Sequence, residues 1–285
     1  MNWNLKIDRN IEPLFHDCDN TINYSEKHNT LAKGVLYTSV SSNIHHPTFM
    51  TKQGYTLLRI LADRNEIFAV TARDYELFHQ FKFSSFYSNY ILSNGGAVYV
   101  NREEDLEYRA IITEQIRELK NKPGDIMRHL VNLTPPVLVE KYQNITDSNG
   151  ETLFVLYYIK KEFIKEFQSL IANLKTKMDQ EYNILIENGN KFYFIPKFID
   201  KSKAVNYLRY KLGIDSYIAA GDSLMDQKML TNARVALIST AGELAKGDRT
   251  NLIKSLKDCE YYKIYEDANT STGESILNDY LRFRD

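Results

Sequence analysis

Polar side chains stand at the ends of three short, mainly apolar segments that lie far apart in the chain. Asp17, Thr71 and Asp222 each end such a segment, and Lys201 opens a stretch in which apolar residues recur at helical spacing. Short apolar runs predict buried strands, and in open parallel sheets ligands bind at the carboxyl ends of the strands. The pattern therefore predicts an α/β fold in which these four side chains converge at one edge of a parallel sheet.

Paired acids give this edge its chemistry. Asp17 and Asp19 are one residue apart, and Asp222 and Asp226 are one helical turn apart, so each pair can point to one place. Carboxylates held close together repel each other unless a cation lies between them, and Mg²⁺ binds oxygen ligands of this kind. One carboxylate could attack an electrophile while its neighbour transfers a proton. Taken alone, the first pair would more often be a solvated acidic turn.

The set and order of these residues resemble the four motifs of the haloacid dehalogenase superfamily of Mg-dependent phosphotransferases, from residue 11 to about residue 240. Further segments resemble the branch whose cap is inserted between the second and third motifs, which includes Cof-type sugar phosphatases and sucrose-phosphate phosphatases. These segments are Ser93-Asn94-Gly95-Gly96-Ala97, Lys201-Ser202-Lys203-Ala204-Val205 with Leu208, and Gly221-Asp222-Ser223 through Asp226 and Met229. The chain departs from the usual pattern where Ala72 and Met225 replace a glycine and an asparagine.

The resemblance implies a role for each motif residue. Asp17 corresponds to the nucleophile, and Asp19 corresponds to the general acid and base. The implied phosphate-binding residues are Thr71, Ala72 and Lys201, and the implied Mg²⁺ ligands are Asp17, Asp19, Asp222 and Asp226. Lys203 would replace Lys201 if the register differed by two residues.

The order of the predicted elements indicates a core that is split by an insertion. Residues 1–100 and 192–285 alternate strands and helices, as in a Rossmann-like parallel-sheet core. Residues 101–191 combine amphipathic helices with strands joined by hairpin signals such as Asp147-Ser148-Asn149-Gly150. We expect an inserted α+β cap domain there. Because the core groups would accept any phosphate, we expect the cap to select the substrate.

The composition argues against several other classes of protein. The 285-residue chain has a net charge of −1, so no basic excess favours binding to nucleic acid or to an anionic membrane. Its apolar runs are far shorter than the roughly 20 residues that cross a bilayer. Residues 1–10 lack the apolar core of a signal peptide. The two cysteines form no disulfide framework, which indicates a reducing, cytoplasmic location.

Three other interpretations of these segments are weaker. A calcium loop at the first acidic pair would need glycine and glutamate where the chain has Ile22 and His28. Cys18 would be a poor nucleophile because the flanking carboxylates disfavour its thiolate. The adjacent residues His45 and His46 point apart in an extended chain and lack a third metal ligand, although a flap position near the substrate would suit them.

The residues and the resemblance together lead to one functional expectation. The protein is expected to be a Mg-dependent phosphatase that hydrolyses a small phosphate ester, with a sugar phosphate as the leading candidate, through an aspartyl-phosphate on Asp17. A phosphorylated cofactor or nucleotide is the alternative substrate, and a sugar could replace water as the phosphoryl acceptor. A phosphate-binding protein without turnover is the non-enzymatic alternative, and the presence of all four carboxylates argues against it.

Overall fold

The computed structural model of the protein describes residues 10–25, 37–42, 47–178, 180–187, 190–244, 247, 249–266 and 268–284. His45 and His46 of the expected flap lie outside these residues, as do His28 and the N-terminal residues 1–9. The chain divides into two compact units. The core unit comprises Met1–Asp105 and Lys201–Asp285, and the inserted unit comprises Leu106–Asp200.

Strands and helices alternate over residues 52–92 and 201–283. The strands are β1 Leu14–His16, β2 Tyr24–Ser25, β3 Tyr37–Ser39, β4 Thr48–Thr51, β5 Ile67–Val70, β6 Tyr90–Leu92, β7 Ala97–Val100, β8 Glu103–Glu104, β9 Val139–Thr146, β10 Thr152–Ile159, β11 Tyr182–Glu187, β12 Lys191–Pro196, β13 Ile218–Gly221, β14 Val235–Ser239 and β15 Tyr261–Tyr265. The helices are α1 Lys52–Asp63, α2 Tyr75–Phe78, α3 Leu106–Glu118, α4 Pro123–Leu133, α5 Ile164–Met178, α6 Lys201–Leu212, α7 Gln227–Thr231, α8 Arg249–Ser255 and α9 Thr272–Phe283.

Described strands of the core unit form one sheet in the order β15-β14-β13-β1-β5-β6-β7-β8. The strands from β15 to β6 pair in parallel, and β7 and β8 extend the sheet antiparallel. In β1, Phe15 lies opposite Ala219 on one side and Phe68 on the other. Every residue of β1, β5, β13 and β14 is buried, as parallel strands covered on both faces require. The predicted α/β class with a parallel-sheet core is confirmed.

Helices of the core unit cover this sheet. Leu58 of α1 and Ile276 of α9 join Leu14, Ala69 and Ala220 of the central strands in one apolar core. Each such leucine or isoleucine contributes roughly 1.5–3 kcal/mol when it leaves water. Helices α6 and α7 contact each other, and α6 also contacts β6 and β7. Strands β2, β4 and β3 form a small antiparallel sheet, which contacts α1 through β3 and β4.

The inserted unit is built on an antiparallel sheet in the order β11-β12-β10-β9. Alternate residues of β10, namely Val155, Tyr157 and Ile159, belong to a separate apolar core together with Leu130 of α4 and Phe167 of α5. Since successive side chains point to opposite faces of a strand, this period of two is what a sheet with helices on one face requires. The α+β composition predicted for the insertion is confirmed, and its role in substrate selection stays a prediction.

The described helices are short. The longest of them, α5, has 15 residues, whereas a transmembrane helix needs about 20 predominantly apolar ones. Within the described part of the chain, no helix combines the length and the apolar character that crossing a bilayer demands.

Candidate active site

Strand order brings the first and last motifs together at one edge of the main sheet. Asp17 follows β1, and its amide donates a hydrogen bond of 2.9 Å to the carbonyl of Ala220 in β13. Asp222 follows β13 directly, so the two acids leave the ends of neighbouring parallel strands. Glycine is required at 221, because a Cβ on Gly221 would lie 2.5 Å from Cβ of Asp226. The predicted convergence of these acids is therefore present in the fold.

A buried lysine joins two of the acids. Nζ of Lys201 donates to Oδ1 of Asp17 at 2.7 Å and to Oδ1 of Asp226 at 2.6 Å. Lys201 is 1% exposed and Asp226 is completely buried, whereas Lys203, the alternative phosphate ligand, is exposed. Burial alone would lower the pKa of Lys201, but the two carboxylates raise it above its ordinary value, so the side chain stays an ammonium.

The second oxygen of Asp226 is held by its own loop. Oδ2 accepts hydrogen bonds from the amide of Ser223 at 2.9 Å, from its hydroxyl at 2.8 Å, and from the amide of Asp222 at 3.2 Å. The hydroxyl of Thr21 donates to Oδ1 of Asp222 at 3.3 Å. These bonds fix the turn between β13 and α7 and connect it to the loop that follows the first acidic pair.

We call Asp17, Asp222 and Asp226 the carboxylate cluster, because one oxygen from each lies within 4.8 Å of the others. All three residues are buried. When all three carboxylates are ionised, their charge exceeds the one positive charge of Lys201 by two negative charges, which a divalent cation would neutralise. Hard carboxylate oxygens suit Mg²⁺, so the residues present fit the predicted cofactor. Among the described residues, Asp19 is not a member of this cluster.

The protonation of Asp17 is balanced near neutral pH. Burial raises the pKa of Asp17 from its ordinary value of 3.8 to about 7, although the ammonium of Lys201 acts in the opposite direction. The negative charges of Asp226 and Asp19 add to the rise, because they disfavour another carboxylate nearby. A cation entering the carboxylate cluster would therefore compete with a proton on Asp17.

Asp19 pairs with Arg73, a residue to which the motif pattern assigns no role. Nε of Arg73 donates to Oδ2 of Asp19 at 2.6 Å, and Nη2 donates to Oδ1 at 2.9 Å. Nη1 donates to the carbonyl of Leu77 at 3.3 Å, and the guanidinium lies 4.2 Å from the ring centroid of Phe81. A two-pronged pair of this kind fixes the plane of the carboxylate as well as its position.

Thr71 and Ala72 begin the loop after β5, the strand next to β1. Thr71 is buried, and its hydroxyl accepts a hydrogen bond of 3.2 Å from the amide of Arg73. Its carbonyl accepts a bond of 2.9 Å from the amide of Asn94. Asn94 has a φ of 57°, a left-handed conformation that asparagine tolerates better than most residues. The turn at 93–96 therefore supports the Thr71 loop, whereas Ala72 is partly exposed.

His16, the last residue of β1, is completely buried and is hydrogen-bonded through both ring nitrogens. Nδ1 lies 2.8 Å from the carbonyl oxygen of Asp17, and Nε2 lies 2.7 Å from the hydroxyl of Tyr87. Burial lowers the pKa of His16 to about 4, so the ring is neutral at pH 7. Because a carbonyl only accepts, Nδ1 carries the proton and Nε2 accepts from Tyr87.

Sequence reasoning missed three contributors to this region. Arg73 stands beside a motif, but its partner Asp19 is 54 residues away. Gly242 lies in no motif, yet a Cβ there would lie 2.1 Å from Oδ2 of Asp222. His16 did carry a signal, because a polar residue inside a buried strand is uncommon unless it is paired.

Cys18 agrees with its expected lack of reactivity. Its side chain is completely buried. Burial raises the pKa of its thiol well above the ordinary value, and the charges of Asp17 and Asp19 raise it further. The reactive thiolate is therefore disfavoured.

Comparison with known proteins gives a family match that includes the site residues after residue 89. The model of the sucrose-6F-phosphate phosphohydrolase family matches residues 89–247, which is more than half of the chain and includes Lys201, Asp222 and Asp226. The curated proteins contain no match to this chain.

Solved structures share the fold along nearly the whole chain. The sucrose-phosphatase of Synechocystis sp. PCC6803, solved with sucrose and phosphate, has 13% identity and a TM-score of 0.60 over 95% of this chain and 98% of that one. A Thermotoga maritima protein has 13% identity and a TM-score of 0.55 over 96% and 98%. A haloacid dehalogenase-like hydrolase from Bacteroides thetaiotaomicron has 13% identity and a TM-score of 0.52 over 95% and 99%. The chain therefore belongs to the sucrose-6F-phosphate phosphohydrolase family, a group of phosphoric monoester hydrolases in the haloacid dehalogenase superfamily.

Proposed function

We propose that this protein is a Mg²⁺-dependent phosphatase that hydrolyses a sugar phosphate through an aspartyl-phosphate on Asp17. The observation that carries the proposal is the buried carboxylate cluster with Lys201 at the carboxyl edge of the parallel sheet. Sucrose-6F-phosphate is the first substrate to test. The matching family model carries that name, and the Synechocystis relative was solved with sucrose and phosphate.

Asp17 supplies the nucleophile and Asp19 handles the protons in this proposal. The carboxylate of Asp17 attacks phosphorus, the bond from phosphorus to the sugar oxygen breaks, and Asp19 donates a proton to that oxygen. Asp19 then takes a proton from a water molecule, which attacks the phosphoryl group and releases inorganic phosphate from Asp17. Arg73 fixes the plane of the Asp19 carboxylate, which positions it to accept the proton from water in the second step.

Thr71, Ala72 and Lys201 are the proposed ligands of the phosphoryl oxygens. The hydroxyl of Thr71 accepts from the amide of Arg73, so its own hydrogen can be donated to phosphate. Lys201 directs two hydrogens to carboxylates, and an ammonium has three. Its third hydrogen and its charge would stabilise the oxygens over which the transition-state charge is spread.

The carboxylate cluster would hold Mg²⁺. Both oxygens of Asp226 already accept hydrogen bonds, Oδ1 from Lys201 and Oδ2 from Ser223, so Asp17 and Asp222 are the better candidates for direct ligands. When bound, the cation would offset the repulsion between an anionic nucleophile and a phosphate dianion.

The inserted unit is the proposed determinant of substrate choice. The core groups named above would contact the phosphoryl group, which all candidate substrates share. Discrimination among sugars, cofactors and nucleotides must then come from contacts with the rest of the substrate. The inserted unit, Leu106–Asp200, is large enough to supply them.

Phosphate release from p-nitrophenyl phosphate and from sucrose-6F-phosphate, with Mg²⁺ or with EDTA, tests the proposal. Release is expected with Mg²⁺ only, and a panel of phosphosugars, nucleotides and phosphorylated cofactors then ranks the substrates. Asp17→Asn is nearly isosteric and removes the attacking charge, so it should abolish release while leaving the circular dichroism spectrum unchanged. Activity of this variant within about tenfold of the parent would contradict the covalent mechanism.

A further inference from the structure

His16 is an unusual residue for the middle of a parallel sheet. It lies opposite Ala220 and Ala69 of the two neighbouring strands and is completely buried. A buried imidazole is strongly destabilising unless its nitrogens find partners. The two partners of this ring, the carbonyl of Asp17 and the hydroxyl of Tyr87, therefore indicate why the chain tolerates histidine here.

The contact with His16 completes the restraint of the Asp17 backbone. The amide of Asp17 donates to the carbonyl of Ala220 at 2.9 Å, and its carbonyl accepts from Nδ1 of His16 at 2.8 Å. One bond fixes the peptide group before the Asp17 Cα, and the other fixes the peptide group after it. The carboxylate of Asp17 therefore starts from a backbone that is held on both sides, and Lys201 holds its outer end.

Tyr87 is itself held firmly enough to orient the histidine ring. Its side chain is buried against Phe78 and Phe83, with ring centroids 6.3 Å away in each case. Its amide donates to the carbonyl of Ser84, and its carbonyl accepts from Nε of Arg102 at 3.2 Å. The hydroxyl therefore occupies a fixed position, and its bond to Nε2 keeps the protonated Nδ1 directed at Asp17.

We propose that His16, oriented by Tyr87, is a positioning residue for the nucleophilic carboxylate of Asp17. The inference rests on the proposed function, because it gives His16 a role only if Asp17 attacks the substrate. Reacting groups must be held within roughly 0.5 Å of the productive geometry. Without the donor on Nδ1, the peptide group after Asp17 loses the hydrogen bond that holds its carbonyl. The rate of the chemical step should fall while substrate binding stays nearly unchanged.

Two substitutions of His16 separate positioning from packing. The amide nitrogen of asparagine takes nearly the place of Nδ1, so His16→Asn keeps a donor for the Asp17 carbonyl. The amide of glutamine reaches the place of Nε2, so His16→Gln loses that donor. Both should lower the melting temperature. We expect kcat of the asparagine variant within about threefold of the parent, and kcat of the glutamine variant about 10- to 100-fold lower with KM nearly constant.

Tyr87→Phe removes only the hydroxyl and provides an independent variant if His16 substitutions fail to fold. It should lower kcat about tenfold, because the imidazole loses the bond that orients it. Tyr280→Phe is the matched control, since it removes another buried tyrosine hydroxyl, which donates to the carbonyl of Glu66 at 3.2 Å. It should leave kcat unchanged.

All variants are assayed as full-length protein with p-nitrophenyl phosphate and Mg²⁺, beside Asp17→Asn. Equal losses of kcat in the two His16 variants, or parent kcat in His16→Gln or Tyr87→Phe, would overturn the positioning role. If Asp17→Asn retains activity, the proposed function fails instead. The two failures are thus distinguishable.

Discussion

Lys201 explains why this site tolerates so much buried charge. Its ammonium is 1% exposed and contacts two carboxylates at 2.6 and 2.7 Å. Removing one partner of a buried ion pair destabilises a protein far more than replacing the whole pair with apolar residues does, because the remaining charge stays buried and unpaired. Lys203, two residues further along α6, is exposed and provides a matched comparison.

Lys201→Met should therefore abolish phosphatase activity and lower the free energy of unfolding by about 3 kcal/mol at pH 7. Lys203→Met should change that free energy by less than about 0.5 kcal/mol and should leave kcat near the parent value. Urea unfolding of the metal-free proteins measures the first quantity, and phosphate release measures the second. Similar effects of the two substitutions would show that Lys201 is not the paired lysine of the site.

The pKa of Asp17 predicts how Mg²⁺ affinity depends on pH. Its value of about 7 in the metal-free protein means that Asp17 is mostly protonated below pH 7 and mostly ionised above it. A cation binds the ionised form, so the apparent affinity should fall about tenfold for each pH unit below 7 and level off above it. Isothermal titration calorimetry from pH 5.5 to 8 measures this curve. A dissociation constant that stays constant over the range would contradict the assignment of Asp17 as a ligand.

The loop after β14 approaches the carboxylate cluster and restricts the position of Asp222. The amide of Leu244 donates to the carbonyl of Asp222 at 3.0 Å. A Cβ on Gly242 would lie 2.1 Å from Oδ2 of Asp222 and 2.4 Å from its carbonyl oxygen. Glycine is needed at 242 because of this close approach. By contrast, among the described residues the atom nearest to a Cβ on Gly247 would be the carbonyl oxygen of Glu243, at 3.6 Å.

Gly242→Ala should accordingly displace the Asp222 carboxylate and weaken Mg²⁺ binding by about 10- to 100-fold, the range typical of changes next to a metal ligand. Gly247→Ala adds the same methyl group to the same loop without a clash, so its Mg²⁺ affinity should match the parent. Calorimetry on both variants, together with thermal melting, separates loss of metal binding from loss of stability. If Gly242→Ala binds Mg²⁺ as tightly as the parent, the loop can move aside without displacing Asp222.

The parts of the site that follow buried strands could be predicted from the sequence, whereas the parts that depend on packing between loops could not. Asp17 and Asp222 were predictable, because each follows a buried strand and parallel strands end at one edge. The pairing of Asp19 with Arg73 was not, because it depends on how two loops pack across 54 residues of sequence. The need for glycine at 242 was equally hidden, since it arises from the approach of another segment and not from the local backbone.

The division of the molecule into two units separates the residues proposed for catalysis from the unit proposed to recognise the substrate. The carboxylate cluster, Lys201, Thr71 and Asp19 all belong to the core unit, whereas the inserted unit has its own sheet and its own apolar core. Strand and helix periodicity led us to expect an inserted α+β block between two parts of a core. The sequence did not predict which side chains of the insertion contact the substrate, because no sequence motif marks such residues on the face of a sheet.

Replacing residues 106–200 by a flexible linker tests the separation. Asp105 contacts Lys211 of α6 at 2.6 Å, and Lys211 is about 15 Å along the helix from Lys201. About eight Gly/Ser residues span that distance. The shortened protein should keep its Mg²⁺ affinity but lose discrimination among phosphosugars, measured as kcat/KM over a panel. An unchanged rank order of substrates would assign recognition to the core unit.

In the proposed mechanism, Asp17 carries the phosphoryl group between the two chemical steps. Acid quenching during turnover, followed by borohydride reduction, converts an aspartyl-phosphate to homoserine, which peptide mass spectrometry locates. We expect homoserine at position 17 only, dependent on both substrate and Mg²⁺. Phosphate release in the same samples with residue 17 still aspartate, or with the modification at another acid, would contradict an aspartyl-phosphate on Asp17.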